Sequence, residues 1–256
     1  MTTTDRASAA PRDTTLNGLL DNRVRLRQPR RGFRVAVDTV FLAAVVPARP
    51  GDRVLDLGCG VGGAGLCLLA RSPESHVAGV EIDSEAALLA RENAAGNDVA
   101  GRFEVIEGDI RDPALDLVPA SFDHVMANPP YLDGQRARPS PHWRRARATV
   151  AGADGLSPWL RAAERFVRPG GSVTLIHRAD RLAELLDGMT WITGRLRVFP
   201  LQPKSGRTAK RVLVQGRKSE TGPTVFLPGL VLHESDGSYS AAAERVLRQG
   251  EGLDLA

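Results

Sequence analysis

The sequence predicts an α/β fold, a mostly parallel sheet covered by helices on both faces. Three observations carry that prediction. Short apolar runs alternate with helical segments from residue 53 to 186, and repeated β-α units of this kind build parallel sheets. A glycine-rich turn, Asp56-Leu57-Gly58-Cys59-Gly60-Val61-Gly62, separates the first buried strand from the first helix of that run. Beyond it, two strand-like stretches flank a Pro/Lys/Gly turn and read as an antiparallel hairpin.

Taken in order, residues 1–16 read as a disordered leader: they are rich in Thr, Ala and Arg and lack the apolar stretch of a signal peptide. The remainder, 17–256, reads as a single domain, with no repeat and no linker long enough to divide it. Val37 to Val46 is an amphipathic helix ended by Pro47, Pro50 and Gly51. Arg53 to Leu57 is a buried strand, Gly63 to Arg71 a helix and His76 to Ile82 a strand. Ser84 to Asn97 is a helix, with Ser84 read as its N-cap. Arg102 to Ile106 and Phe122 to Ala127 are strands. Leu156 to Val167 is a helix stopped by Pro169-Gly170-Gly171, followed by a strand from Ser172 to His177 and a helix from Ala179 to Leu186. Arg195 to Leu201 and Arg211 to Gln215 form the hairpin, and Tyr239 to Arg248 a last helix.

The 256 residues are 42% hydrophobic and 25% charged, enough for an ordinary core. No apolar run approaches the ~18 residues of a membrane span. The only cysteines, Cys59 and Cys67, have no metal-ligand spacing, so neither a metal nor a disulfide framework is expected. A cytoplasmic protein, monomeric by default, fits this composition. The net charge of +4 is unevenly spread: residues 17–49 and 134–150 each carry +5, and 195–218 carry +8. If these stretches share a face, a polyanion such as nucleic acid is the expected partner.

The glycine turn lets backbone approach a ligand closely. Gly58, Gly60 and Gly63 also satisfy a dinucleotide pattern, which would equally serve a nicotinamide enzyme. Glu81 ends the next strand, 23 residues after Gly58, where a carboxylate can accept hydrogen bonds from both ribose hydroxyls. Asp56 places a carboxylate where a dinucleotide would put pyrophosphate, which favours a cofactor with an α-amino group, S-adenosylmethionine. Gly108-Asp109-Ile110 closes the third strand, within side-chain reach of an adenine.

Asn128-Pro129-Pro130-Tyr131 follows the strand Phe122 to Ala127. An adenine N6 or a glutamine amide nitrogen is a poor nucleophile because its lone pair is delocalised. Two acceptors aimed at its N–H groups assist as the nitrogen pyramidalises, and both bonds strengthen as positive charge develops. The Asn128 side-chain oxygen and the Pro129 carbonyl can form that pair. The two prolines fix the backbone, and Tyr131 can stack on a planar substrate. His124 and His177 read as strand residues rather than catalysts.

These motifs resemble the class I S-adenosylmethionine-dependent methyltransferases of the Asn-Pro-Pro-Tyr group, over roughly residues 33 to 217. The resemblance implies a Rossmann-like, seven-stranded sheet with an antiparallel last strand. Within the group the chain is most similar to the bacterial tRNA adenine-N6 methyltransferases that act on valine tRNA. Phe33 to Ala43 resembles that family's segment covering the cofactor, Lys210-Arg211-Val212-Leu213 its penultimate strand and Tyr239-Ser240 its C-terminal signature. The resemblance implies catalysis by Asn128, Pro129, Pro130 and Tyr131. It implies cofactor contacts from Asp38, Asp56, Gly58, Cys59, Gly60, Gly62, Glu81, Ile82, Asp109, Ile110 and Asn128, and tRNA contacts from Arg34, Arg144, Arg147 and Lys204. Two other functions fit the same motifs. One is methylation of a protein glutamine, as in release factors, although that family has a separate N-terminal helical domain. The other is a non-catalytic module that binds the cofactor or RNA.

Overall fold

A computed structural model describes residues 13–31, 34–130 and 155–255. The chain opens with a two-stranded antiparallel hairpin, β1 (Thr14–Leu19) and β2 (Val24–Pro29). Thr14 to Leu16, assigned above to the leader, are therefore strand residues, and the hairpin itself was not foreseen. Its turn stacks three left-handed residues, Leu20, Asp21 and Asn22, a conformation that Asn and Asp tolerate best. β2 alternates buried Val24, Leu26 and Gln28 with exposed Arg25 and Arg27.

A nine-stranded sheet follows. It comprises β3 (Arg53–Leu57), β4 (His76–Glu81), β5 (Phe103–Glu107), β6 (Phe122–Ala127), β7 (Val167–Arg178), β8 (Gly194–Lys204), β9 (Arg211–Arg217), β10 (Val225–Phe226) and β11 (Leu230–His233). The spatial order is β10-β8-β9-β7-β6-β3-β4-β5, with β11 also paired to β8. β9 runs antiparallel to both its neighbours and every other pairing in this sheet is parallel. Removing the short β10 and β11 leaves the expected seven-stranded, Rossmann-like sheet with its antiparallel last strand.

Helices cover both faces. One core joins α1 (Val37–Val45), α2 (Gly63–Arg71), α3 (Ser84–Gly96), α6 (Ala241–Leu247) and the β1–β2 hairpin. The other joins α4 (Ser157–Phe166) and α5 (Leu182–Ile192), which pack over Leu55, Leu57, Val125 and Val198. Two local expectations change. The cap of α3 is Asp83, whose carboxylate accepts from the Ala86 N–H, and Ser84 is already helical. α4 ends at Phe166, ahead of Pro169-Gly170-Gly171, and the strand expected from Ser172 starts earlier: β7 begins at Val167 beside Phe122, slips register across the glycines and resumes with Ser172 beside His124. Among the described residues no helix is long and apolar enough to cross a membrane.

Candidate active site at the ends of the central strands

The chain runs from β3 outward to β4 and β5, then returns to β6 on the other side of β3. At such a reversal the connections leave in opposite directions, and a crevice opens beyond the carboxyl ends of the strands. Register fixes what meets there. Leu57 lies opposite both Val80 and Ala127. The residues that follow, Gly58, Glu81 and Asn128, therefore emerge side by side from three adjacent strands.

The glycine turn owes its shape to three left-handed glycines, Gly58, Gly60 and Gly62. At Gly58 the need is double, because a Cβ there would stand 2.5 Å from the Trp159 ring of α4. Glu81 holds the turn in place: one carboxylate oxygen accepts from the Gly60 N–H at 2.8 Å, the other from the Asp83 N–H at 2.9 Å. A carboxylate offers about four lone-pair positions, so two remain for a ligand's hydroxyls. Burial raises the pKa of Glu81 against the pull of these N–H groups.

Asp56 lies beneath the turn and is 3% exposed. Burial pushes its carboxyl up to about 8, opposed by a hydrogen bond from the Gly65 backbone. One of its oxygens has no hydrogen-bond partner. A buried acceptor left unmatched suits a cationic ligand group, and this fits the ammonium of S-adenosylmethionine. Cys59 is buried in the same turn and its thiol is held well above its usual range, again chiefly by burial, so it serves as backbone and packing rather than as a nucleophile.

Of the remaining candidates, Ile110 is buried and Ile82 partly buried in the core under α4. Asp109 follows β5, and the neighbouring Arg111 guanidinium grips its carboxylate and holds its pKa low. Asp38, in the first turn of α1, accepts from Arg211 Nε of β9 at 2.8 Å. Pro129 is buried, while Asn128 and Pro130 are half-buried. Arg34 is committed to the hairpin, where its guanidinium donates to Thr15, Pro29 and Asn17, so its charge serves structure there. Lys204 donates to the Ser235 carbonyl at the end of β8. Tyr131, Arg144 and Arg147 lie outside the described residues.

Residues that sequence reasoning passed over complete the site. Trp159, 5% exposed, lies against Gly58; its signal was an apolar position on an amphipathic helix, which does not name a partner. Asn93 of α3 accepts from the Arg27 N–H of β2 and donates to the carbonyls of Arg27 and Val61. One buried amide thus ties the N-terminal hairpin to the glycine turn. The +8 stretch does not form one face: the antiparallel β8–β9 pair carries Lys204, Arg207, Lys210 and Arg211 to the edge holding the site, and Arg195, Arg197, Arg217 and Lys218 to the opposite edge.

Comparison with known proteins agrees with this geometry. Residues 34–152 match the family model described as the methyltransferase small domain. A tRNA1(Val) (adenine(37)-N6)-methyltransferase of Aeromonas hydrophila is 33% identical over 219 residues, covering 82% of this chain and 87% of that protein. One from Porphyromonas gingivalis is 30% identical over 217 residues, covering 81% and 84%. The crystal structure of a predicted O-methyltransferase from Agrobacterium tumefaciens aligns with a TM-score of 0.72 at 26% identity, covering 85% of this chain and 98% of that one. With the glycine turn, Glu81 and Asn128 converging at the switch point of such a sheet, the chain belongs to the bacterial family of tRNA1(Val) (adenine(37)-N6)-methyltransferases, S-adenosylmethionine-dependent N-methyltransferases.

Proposed function

We propose that this protein methylates the N6 nitrogen of an adenine in tRNA. The observation that carries the reading is the placement of Asn128 and Pro129 directly beside the glycine turn, through the pairing of Ala127 with Leu57. An acceptor pair and a cofactor cradle on adjacent strand ends allow an in-line transfer. The relatives' named activity, on adenine 37 of tRNA1(Val), supplies the acceptor.

When bound, S-adenosylmethionine supplies an electrophilic methyl on a sulfonium centre and leaves as S-adenosylhomocysteine. The turn residues Gly58, Gly60 and Gly62 let backbone lie against it without Cβ interference. Glu81 would receive the ribose hydroxyls on its unused lone pairs, and Asp56 would hold the ammonium. The Asn128 side-chain oxygen and the Pro129 carbonyl hold the two N–H groups of the adenine, which aims the N6 lone pair at the methyl. Positive charge developing on the nitrogen would strengthen both hydrogen bonds, so Asn128 and Pro129 would hold the transition state more tightly than the bound substrate. Arg207 and Lys210, exposed in the β8–β9 turn beside the site, suit the phosphates of the anticodon arm and join Lys204 in that role.

Incubation with labelled S-adenosylmethionine and total tRNA, followed by nucleoside mass spectrometry, tests the reading. N6-methyladenosine is the expected product. Label entering protein glutamine instead would overturn it.

A further inference from the structure

The far edge of the sheet carries a second feature that methyl transfer does not use. A recess of about 580 Å³ opens there. It lies between the end of α1, the Arg195 and Arg217 ends of β8 and β9, and the tail at Gly252–Leu255. Its origin is a mismatch of lengths. The nine residues of α1 span only about 13 Å, whereas the eleven of β8 span about 36 Å. Along β8 and β9 the residues facing α1 begin as core, with Phe199, Leu201 and Leu213. Past the end of α1 the same face continues as Arg197, Gln215 and Arg217, with Arg197 directly opposite Gln215. The tail forms the other wall, anchored by the Leu253 N–H on the Ala44 carbonyl at 2.8 Å.

Four arginines line the recess, Arg71, Arg195, Arg197 and Arg217, against Glu220 and Asp254. Glu220 is paired with Arg195. Arg217 donates to the Gly170 carbonyl at 3.1 Å. Arg71 caps the end of α1 through the carbonyls of Ala43 and Val46, but its buried Nε–H has no partner. Among the described residues Arg197 makes no side-chain hydrogen bond or ion pair, although it is only partly exposed. The buried Arg71 Nε–H is left without a partner and so is costly unless an acceptor meets it, and Arg197 and Arg217 present further guanidinium N–H groups to the same recess. Planar guanidinium forks match phosphate in particular.

We infer that this recess is a phosphate-binding site, with Arg197 and Arg217 as its principal donors. It is separate from the methyl-transfer crevice. Arg217 lies four residues along β9 from Leu213, the level of Asn128, and thus about 13 Å toward the opposite ends of the strands. The phosphate can belong to the tRNA backbone or to a small phosphorylated molecule, because the donor set recognises the group and not its carrier.

Calorimetric titration of the full-length protein with inorganic pyrophosphate tests the site, using Arg197→Glu and the milder Arg197→Ala. Affinity for S-adenosylmethionine serves as the check that each variant is folded. Pyrophosphate should bind the wild type with one site and bind Arg197→Glu about tenfold or more weakly, with cofactor affinity unchanged. Loss of tRNA affinity in parallel, with pyrophosphate competing against tRNA, assigns the site to the RNA backbone. Unchanged tRNA affinity assigns it to a small phosphorylated ligand. Pyrophosphate affinity that is the same in wild type and in both variants, or no binding to the wild type, overturns the proposal. None of these readouts depends on methyl transfer.

Discussion

Gly58→Ala tests how the fold shapes the site. Two costs act at this position. The backbone is left-handed, with φ +63°, which penalises any L side chain by about 1–2 kcal/mol. The new methyl would also stand 2.5 and 2.7 Å from two ring carbons of Trp159, an overpacking worth about 1–3 kcal/mol. Together they predict a loss of about 2–5 kcal/mol, or about 4–20 °C in Tm for a chain of this length. The two costs separate in a double-mutant cycle. Trp159→Ala alone should cost about 3–5 kcal/mol as a buried aromatic truncation. In that background Gly58→Ala should cost only the backbone part, so the pair should couple by about 1–3 kcal/mol. Denaturant unfolding of the four proteins reads the cycle. Equal costs of Gly58→Ala in both backgrounds, within about 0.5 kcal/mol, would refute the argued contact.

Three further outcomes follow from the same structure. Glu81→Ala should weaken S-adenosylmethionine binding about 10- to 100-fold, the loss of charge-assisted bonds to the ribose, and an unaltered calorimetric Kd would refute the ribose assignment. Asp56, with its carboxyl near 8 when unliganded, should release a proton when it meets the ammonium. Cofactor affinity should therefore rise with pH until about 8 and then flatten, and binding enthalpies that do not depend on the buffer's ionisation heat near neutral pH would contradict this. His124, bonded to Ser172 and Asp52, is held below its ordinary pKa chiefly by burial. The fold thus prefers its neutral ring, so stability should be whole above about 6.5 and fall as pH drops from there toward the folded value. His124→Gln should flatten part of that slope, and an unchanged slope would show that other groups carry it.

The strands bearing the site were legible because burial on both faces writes them as short, mostly apolar runs beside turn residues: Arg53 to Leu57 and Phe122 to Ala127 fall where the sequence placed them. The glycine turn was legible because its conformation demands glycine. The β1–β2 hairpin was missed although Val24-Arg25-Leu26-Arg27 alternates cleanly, since its arginines were counted only as part of the basic stretch 17–49 and its anchors, Asn93 of α3 and Asn97 at that helix's end, lie far along the chain. The Trp159 contact with Gly58 and the division of the basic hairpin between two edges are products of packing and strand direction, and no local pattern encodes either. The short β10 and β11 have too few residues to show an alternation.

Asn128 acts in the transfer step by holding the substrate nitrogen, beyond any contact it makes with the cofactor. Single-turnover methylation of tRNA by wild type and Asn128→Ala, paired with the S-adenosylmethionine Kd of each, tests it most directly. The transfer rate should fall about 10²-fold or more, as for loss of a group that binds the transition state, with the cofactor Kd unchanged. An unchanged rate, or a loss fully explained by weaker cofactor binding, would contradict it.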